Sequence, residues 1–499
     1  MTIETVDVLV VGAGISGIGA GYHLQTYCSN KSYVILEGRD DLGGTWDLFR
    51  YPGIRSDSDM HTLGFSFRPW KEAKAIADGP SIKNYLRETA RDHGIDKRIR
   101  YRHRVKRASW DSEAARWTVE VERGPEREPV TFSTSFLFMC SGYYDYAQGY
   151  APSFEGQENF KGQIVHPQHW PEQLDYNGKR VVVIGSGATA VTLVPEMAKD
   201  AAHVTMLQRS PTYMVSRPAQ DKVANGLRKV LPPKVAYGLT RWKNVLFGMY
   251  FYKKTRTNPQ GVNQWVLDRV KALLPEGYDM AHFTPSYNVW DQRLCLVPDD
   301  DLFAAIKNGS ADVATGHIER FTETGIRLKN GQEIGADVIV TATGLNLQLL
   351  SGIEYTIDGE RIEPSQTMTY KAMMFSGIPN LATSFGYTNA SWTLKADLTC
   401  MYVCRLINHM DRTGTQIATP VLNDPEVQEE PWLSFSSGYV QRALGHLPKQ
   451  GSKRPWKVHQ NYAKDLLDLK FGKVDDGAMT FRKARKPVGK PEPMLEAAE

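Results

Sequence analysis

Asp7 to Gly17 reads DVLVVGAGISG. Asp7–Val11 is a short, apolar, largely β-branched run of the kind that a strand buried on both faces requires. It feeds without a break into Gly12-Ala-Gly14-Ile-Ser-Gly17 and then into a helical pattern. A lone G-x-G-x-x-G carries little, but between a strand and a helix it reads as a dinucleotide-binding turn. Gly12 permits the tight turn, Gly14 lets backbone approach a pyrophosphate, and Gly17 lets the helix pack on the strand. The helix N-terminus is left aimed at the phosphates.

Working outward, the next strand, SYVILE, ends in Glu37, twenty residues beyond Gly17, where a carboxylate holds ribose hydroxyls. The design then recurs. Lys179–Ile184 is a strand, Gly185-Ser-Gly187-Ala-Thr-Ala190 is a glycine turn with alanine in third place, and HVTMLQRS is the strand after it. That strand ends in Gln208, Arg209 and Ser210 instead of an acid, and Arg209 suits a 2′-phosphate that a carboxylate would repel. The first site is therefore read as FAD and the second as NADPH. A solvated surface charge is the bland alternative for Arg209.

Two further strands, Phe136–Gly142 (FLFMCSG) and Asp337–Gly344 (DVIVTATG), end in small residues and glycine. In flavoenzymes with two nucleotide units, such strands mark where the chain passes from one unit to the other. The expected architecture is α/β, with two dinucleotide-binding Rossmann-like domains and a helical insertion. An FAD domain (residues 1–145, resumed at 341–470) would be split by an NADPH domain (146–211 and 291–340). Residues 212–290 exceed what a nucleotide domain needs. Their basic, aromatic pattern, such as TRWKNVLFGMYFYKK, reads as a helical subdomain over the active site, packed on its own protein with lysines on the wet side. Gly386–Trp392 (GYTNASW) and the helix after it are expected to approach the flavin. The Pro-, Lys- and Arg-rich segment 471–499 is expected to be loosely held.

Composition narrows the class. A net charge of +4 is too small to argue for nucleic acid, and none is expected as a partner; five cysteines without a C-x-x-C pair offer neither a zinc site nor a redox dithiol. No metal is expected. The N-terminus enters a strand directly, with no basic leader, and no run of about 18 apolar residues follows. The expected location is cytoplasmic, with at most a peripheral membrane contact.

The segment Phe160–Pro171, FKGQIVHPQHWP, matches Phe-x-Gly-x-x-x-His-x-x-x-Trp-Pro at Phe160, Gly162, His166, Trp170 and Pro171. A second signature, Gly-Gly-x-Trp-x-x-x-x-Tyr-Pro-Gly-x-x-x-Asp, is met at Gly43, Gly44, Trp46, Tyr51-Pro52-Gly53 and Asp57. On both, the chain resembles the type I Baeyer-Villiger monooxygenases, in the subgroup of the ethionamide-activating monooxygenase. The resemblance implies that NADPH reduces FAD and that dioxygen adds at flavin C4a. The resulting peroxide then converts a ketone to an ester or lactone, with sulfoxidation of a thioether as a second reaction. A monooxygenase acting mainly on sulfur or nitrogen is the nearest alternative. Disulfide reductases share the two-turn layout but need the missing dithiol, and a nucleotide sensor leaves the signatures unexplained.

The resemblance also assigns roles. Arg293, in Trp290-Asp-Gln-Arg-Leu-Cys, would stabilise anionic oxygen beside the flavin, and Asp57 would hold that guanidinium. Ser16, Gly44, Thr45, Trp46, Asp57 and Val105 would join the first turn around FAD. Ser186, Ala188, Thr189, Ser210 and Gln292 would join the second around NADPH. Relatives place a cation where this chain has Gln292, so phosphate recognition should rest more on Arg209. His166 is read as pinning the connection between nucleotide units by hydrogen bonds.

Overall fold

The computed structural model describes residues 3–433 and 435–485. Its frame is two separate sheets. In the first, the strand Ile3–Val11 pairs in parallel with Tyr33–Leu36 on one side and with Glu128–Met139 on the other. Ile99–Arg100 and Leu381–Thr383 extend this parallel part. Antiparallel strands His103–Asp111 and Arg116–Arg123 continue the sheet away from it. The second sheet has five strands, all parallel, in the order 311–315, 203–208, 180–184, 338–341 and 163–165.

The apolar runs in the sequence are explained by burial on both faces of each sheet. Val8 and Val10 enter one core while Leu9 and Val11 enter another. In the second sheet Val181 and Val183 point to one side, Val182 and Ile184 to the other. Alternation within a fully apolar strand thus serves two cores at once.

Two crossings join the sheets, and they lie side by side. The Asp145 N–H donates to Asn346 O at 2.9 Å, the Tyr150 N–H to Gly344 O at 3.1 Å and the Gln348 N–H to Tyr143 O at 2.9 Å. Outgoing and returning chain therefore form one short antiparallel joint. The His166-Pro-Gln-His169 segment braces it. Gln168 Nε2 donates to Asp145 O at 2.8 Å, His169 Nε2 lies 3.1 Å from Ala147 O, and His166 Nδ1 accepts from the Gln168 N–H at 3.2 Å.

The inserted segment leaves and rejoins the second unit on adjacent parallel strands: Met214–Arg217, just inside the expected 212–290, and Cys295–Pro298, just beyond it. Between them run helices Lys222–Val230, Pro233–Thr257 and Pro259–Leu273. Buried Arg241 fixes the long helix to the first unit, donating to His61 O, Thr62 O and Gly64 O. The expectation of a helix packed on its own protein holds for that face alone, because a second apolar face is left in solvent.

Part of the segment expected to be loose is fixed. Met479–Arg482 pairs with Ile417–Pro420, and Val474 and Met479 are buried. The remainder, 486–499, lies outside the described residues.

Candidate active site

The two glycine turns are built alike. Gly12 has φ +102°, and a Cβ there would stand 2.7 Å from Cys140 O at the end of the strand before the outgoing crossing. Gly185 has φ +137°, and its Cβ would stand 2.3 Å from Ala342 O, at the corresponding end before the return. Each first glycine is thus required twice, by conformation and by contact. Gly17 lies directly beneath, where a Cβ would meet Gly12 O.

The helices that follow, Ile15–Tyr27 and Ala188–Met197, start at Gly14 and Gly187 without a side-chain cap. Elsewhere Asp59, Asp78, Asp221 and Asn258 cap their helices. Uncapped first-turn N–H groups are free for an anion, which fits a pyrophosphate at each turn.

A cavity of about 540 Å3 opens in front of the first turn. Gly12, Gly14, Ser16, Glu37, Gly44, Thr45, Trp46, Asp57, Val105 and Arg293 line it, joined by Ala188 and Thr189 from the second turn. A Cβ on Gly14 would approach Gly44 Cα at 3.5 Å, so backbone faces backbone across the cradle. Glu37 is 6 % exposed and receives the Ala13 and Arg39 N–H groups at 2.8 and 2.9 Å. Burial pushes its carboxyl above the usual range, and the two backbone donors work against that shift. These features fit the dinucleotide expected from sequence.

Gly17, Gly185, Ser186, Gly187, Ala190, Arg209, Ser210 and Gln292 do not line this cavity. Ser186 Oγ donates to Ser210 O and pairs with Thr212 Oγ1, tying the second turn to the end of strand His203–Gln208. Arg209 is exposed there, and Gln292 is half-buried.

Asp57 and Arg293 meet, although they lie 236 residues apart in sequence. Arg293 Nη2 donates to Asp57 Oδ2 and Nη1 donates to Thr388 O at 3.3 Å. Both side chains are about a third exposed, 35 and 36 %, and they open onto the cavity. The Asp57 charge holds the guanidinium more firmly protonated than usual. Two further contacts deliver Asp57 from the 51–57 segment. Arg55 forms an ion pair with Asp301, and Tyr51 is buried against the second unit's core, with its hydroxyl pushed up to about 12 by burial.

The sequence reading placed Trp392 near the flavin but missed Tyr143, Tyr144 and Arg442. Tyr143 stacks on Trp392 at 5.0 Å and shares a 2.8 Å hydrogen bond with Tyr144, forming an aromatic wall beside Arg293. Trp392 Nε1 donates to Ser16 Oγ at 2.8 Å, linking that wall to the first turn. Arg442 lies 3.5 Å over the Tyr150 ring and reaches Leu345 O at 3.4 Å, in the electrostatic field of Arg209. It has no motif, and only the fold brings it to the joint and into the field of Arg209.

The model of the flavin-binding monooxygenase-like family matches residues 5–378. FAD-containing monooxygenase EthA of Mycobacterium tuberculosis is 54 % identical over 488 residues, 97 % of this chain and 99 % of that protein. The probable FAD-binding monooxygenase AlmA of Acinetobacter baylyi is 49 % identical over 485 residues, covering 97 % of each chain. Among solved structures, an oxidised steroid monooxygenase bound to NADP superposes with a TM-score of 0.75 at 22 % identity, covering 96 % of this chain and all of that one. Cyclohexanone monooxygenase from Rhodococcus sp. Phi1 bound to NADP+ gives 0.74 at 18 % identity, covering 97 and 100 %. At such identities the two structures show a common fold.

Proposed function

Since the chain belongs to the flavin-binding monooxygenase-like family, we propose that it converts ketones to esters or lactones and also oxidises thioether sulfur. It is an NADPH-dependent FAD monooxygenase. The observation that carries the finer reading is the Asp57–Arg293 pair, open to the cavity lined by the first nucleotide turn and by Ala188 and Thr189 of the second. The balanced reaction takes ketone, dioxygen, NADPH and a proton to ester, water and NADP+.

Bound FAD, once reduced by NADPH, supplies the activated oxygen. The chain's own residues bind, orient and stabilise. The first-turn N–H groups after Gly14 take the FAD pyrophosphate and Glu37 takes ribose hydroxyls. Trp46 and Val105 line the cavity and would flank the flavin, with Ser16 and Thr45 as polar contacts. The Gly185–Ala190 turn takes the NADPH pyrophosphate, and Arg209 with Arg442 meets the 2′-phosphate.

Arg293 keeps its proton and offers a fixed positive charge where negative oxygen develops. Asp57 is a positioning residue: it aligns the guanidinium and limits its motion to one edge of the cavity. Tyr143 and Trp392 present a stacked aromatic surface beside that edge.

The test is to reduce the flavin-loaded enzyme anaerobically with NADPH, then admit labelled dioxygen with a cyclic ketone or a thioether. One labelled oxygen in lactone and sulfoxide supports the reading. Sulfoxide without lactone would leave a heteroatom oxygenase, and hydrogen peroxide without oxygenated product would overturn both.

A further inference from the structure

The long inserted helix Pro233–Thr257 carries two apolar stripes. One is buried against the first unit through Tyr237, Arg241 and Val245. The other, Val235, Leu239, Trp242, Leu246 and Tyr250, recurs every three or four residues, and each member is 44 to 60 % exposed. Phe247 beside it is 52 % exposed, and Val223 and Val230 of the preceding helix are also in solvent. A contiguous exposed stripe of this size marks a surface that another body covers.

Charge says which body. From Lys222 to Leu267, forty-six residues contain nine lysines and arginines and not one aspartate or glutamate. The whole chain carries only +4, so the remainder is net negative. Five of these cations, Lys222, Lys229, Lys234, Lys253 and Lys254, are exposed and have no salt bridge among the described residues. A second copy meeting this face symmetrically would set cations against cations. An anionic bilayer instead satisfies both features, because aliphatic and aromatic side chains enter the headgroup boundary while lysines meet lipid phosphates. No helix of the described residues is long and apolar enough to cross a membrane, so the contact is from one side.

The patch continues across a crevice of about 500 Å3 whose walls include Tyr22, Phe67, Trp242, Tyr462 and Lys470. Leu467 and Phe471, next to that wall in sequence, are 64 and 66 % exposed. Val245 of the crevice belongs to a small buried cluster with Tyr387, which lines the catalytic cavity. The face therefore lies close to the chemistry.

We propose that this face docks the enzyme on an anionic lipid bilayer, with the Val235–Tyr250 stripe in the headgroup region. The test is flotation of flavin-loaded, full-length protein with vesicles of phosphatidylcholine plus phosphatidylglycerol, against phosphatidylcholine alone. Wild type is expected to float with the anionic vesicles and to be released by salt. L246S/F247S should lose binding, and K234E/K254E should bind anionic vesicles at least roughly thirtyfold more weakly. Both variants change exposed side chains and should keep the flavin spectrum and thermal midpoint, which separates lost docking from lost folding. The proposal is overturned if wild type stays with neither vesicle, or if the variants float as wild type does. It is equally overturned if wild type self-associates without lipid and L246S/F247S makes it monomeric, because a second copy then covers the face. Every readout is of binding, so these outcomes are independent of which substrate the enzyme oxidises.

Discussion

Removing Arg293 and Asp57 singly and together measures how the pair works. Loss of one preorganised charge from an oxyanion-stabilising site costs about 100- to 1000-fold in rate, so Arg293→Ala should slow product formation by that factor. Asp57 acts through Arg293, and its contribution is smaller. Two unit charges in contact interact by roughly 1 to 5 kcal/mol between the dielectrics of water and a protein surface. With both side chains about a third exposed, solvent screening places the pair at the low end. Asp57→Ala should therefore cost about tenfold, leaving Thr388 O, at 3.3 Å, as the guanidinium's remaining hydrogen-bond partner among the described residues. In the Arg293→Ala background the same change should cost under about threefold, since the group it positions is gone. The assay is labelled-oxygen product per NADPH consumed, with anaerobic flavin reduction as a control that should stay near wild type. Arg293→Ala within about threefold of wild type would refute the charge-stabilisation argument. Fully additive losses in the double variant would refute the claim that Asp57 acts through Arg293.

Four other changes probe the cofactor cradles and the joint. Arg209→Ala and Arg442→Ala should each lower the NADPH to NADH ratio of kcat/KM by about tenfold or more, the worth of one charge-assisted hydrogen bond. An unchanged ratio in either sinks that residue's assignment. Gly12→Ala forces a side chain to φ +102° and to within 2.7 Å of Cys140 O, so purified protein should carry markedly less flavin per chain. Full flavin occupancy would show that the turn yields. His166 is held below the usual histidine range by burial, so the folded joint keeps it neutral. As pH falls from about 6.5 the unfolded chain takes up its proton first, and stability declines down to the lowered folded value. His166→Gln should flatten that part of the thermal-midpoint profile, and an identical slope in both proteins contradicts this role for His166.

What the sequence made legible was local. The strands around Val8 and Val182 could be read because burial on both faces demands unbroken apolar, β-branched runs, and the glycine turns because each position in them has its own steric reason. The residues of FKGQIVHPQHWP read as a brace between units; Gln168 and His169 do reach the outgoing crossing at Asp145 O and Ala147 O, whereas the His166 Nδ1 hydrogen bond stays within the segment, to the Gln168 N–H. The antiparallel joint itself was not legible: its pairs, such as Tyr150 with Gly344, lie nearly two hundred residues apart and follow no period. Arg442 was missed for the same reason.

The inserted helix shows a different limit. A pattern with apolar residues on two stripes does not say which stripe is buried, and the usual inference gives every apolar residue to the core. Here the choice is made by Arg241, whose guanidinium satisfies three carbonyls near the end of the short helix Met60–Leu63. A buried cation so fully committed fixes the rotation of the helix, because turning the other stripe inward would leave both the arginine and those carbonyls unpaired. Trp242 and Leu246 are thereby held in solvent. The signal that could have found this was the missing carboxylates between Lys222 and Leu267. A helix that merely keeps its lysines wet gains from interspersed acids, and one that meets an anionic surface is weakened by each of them.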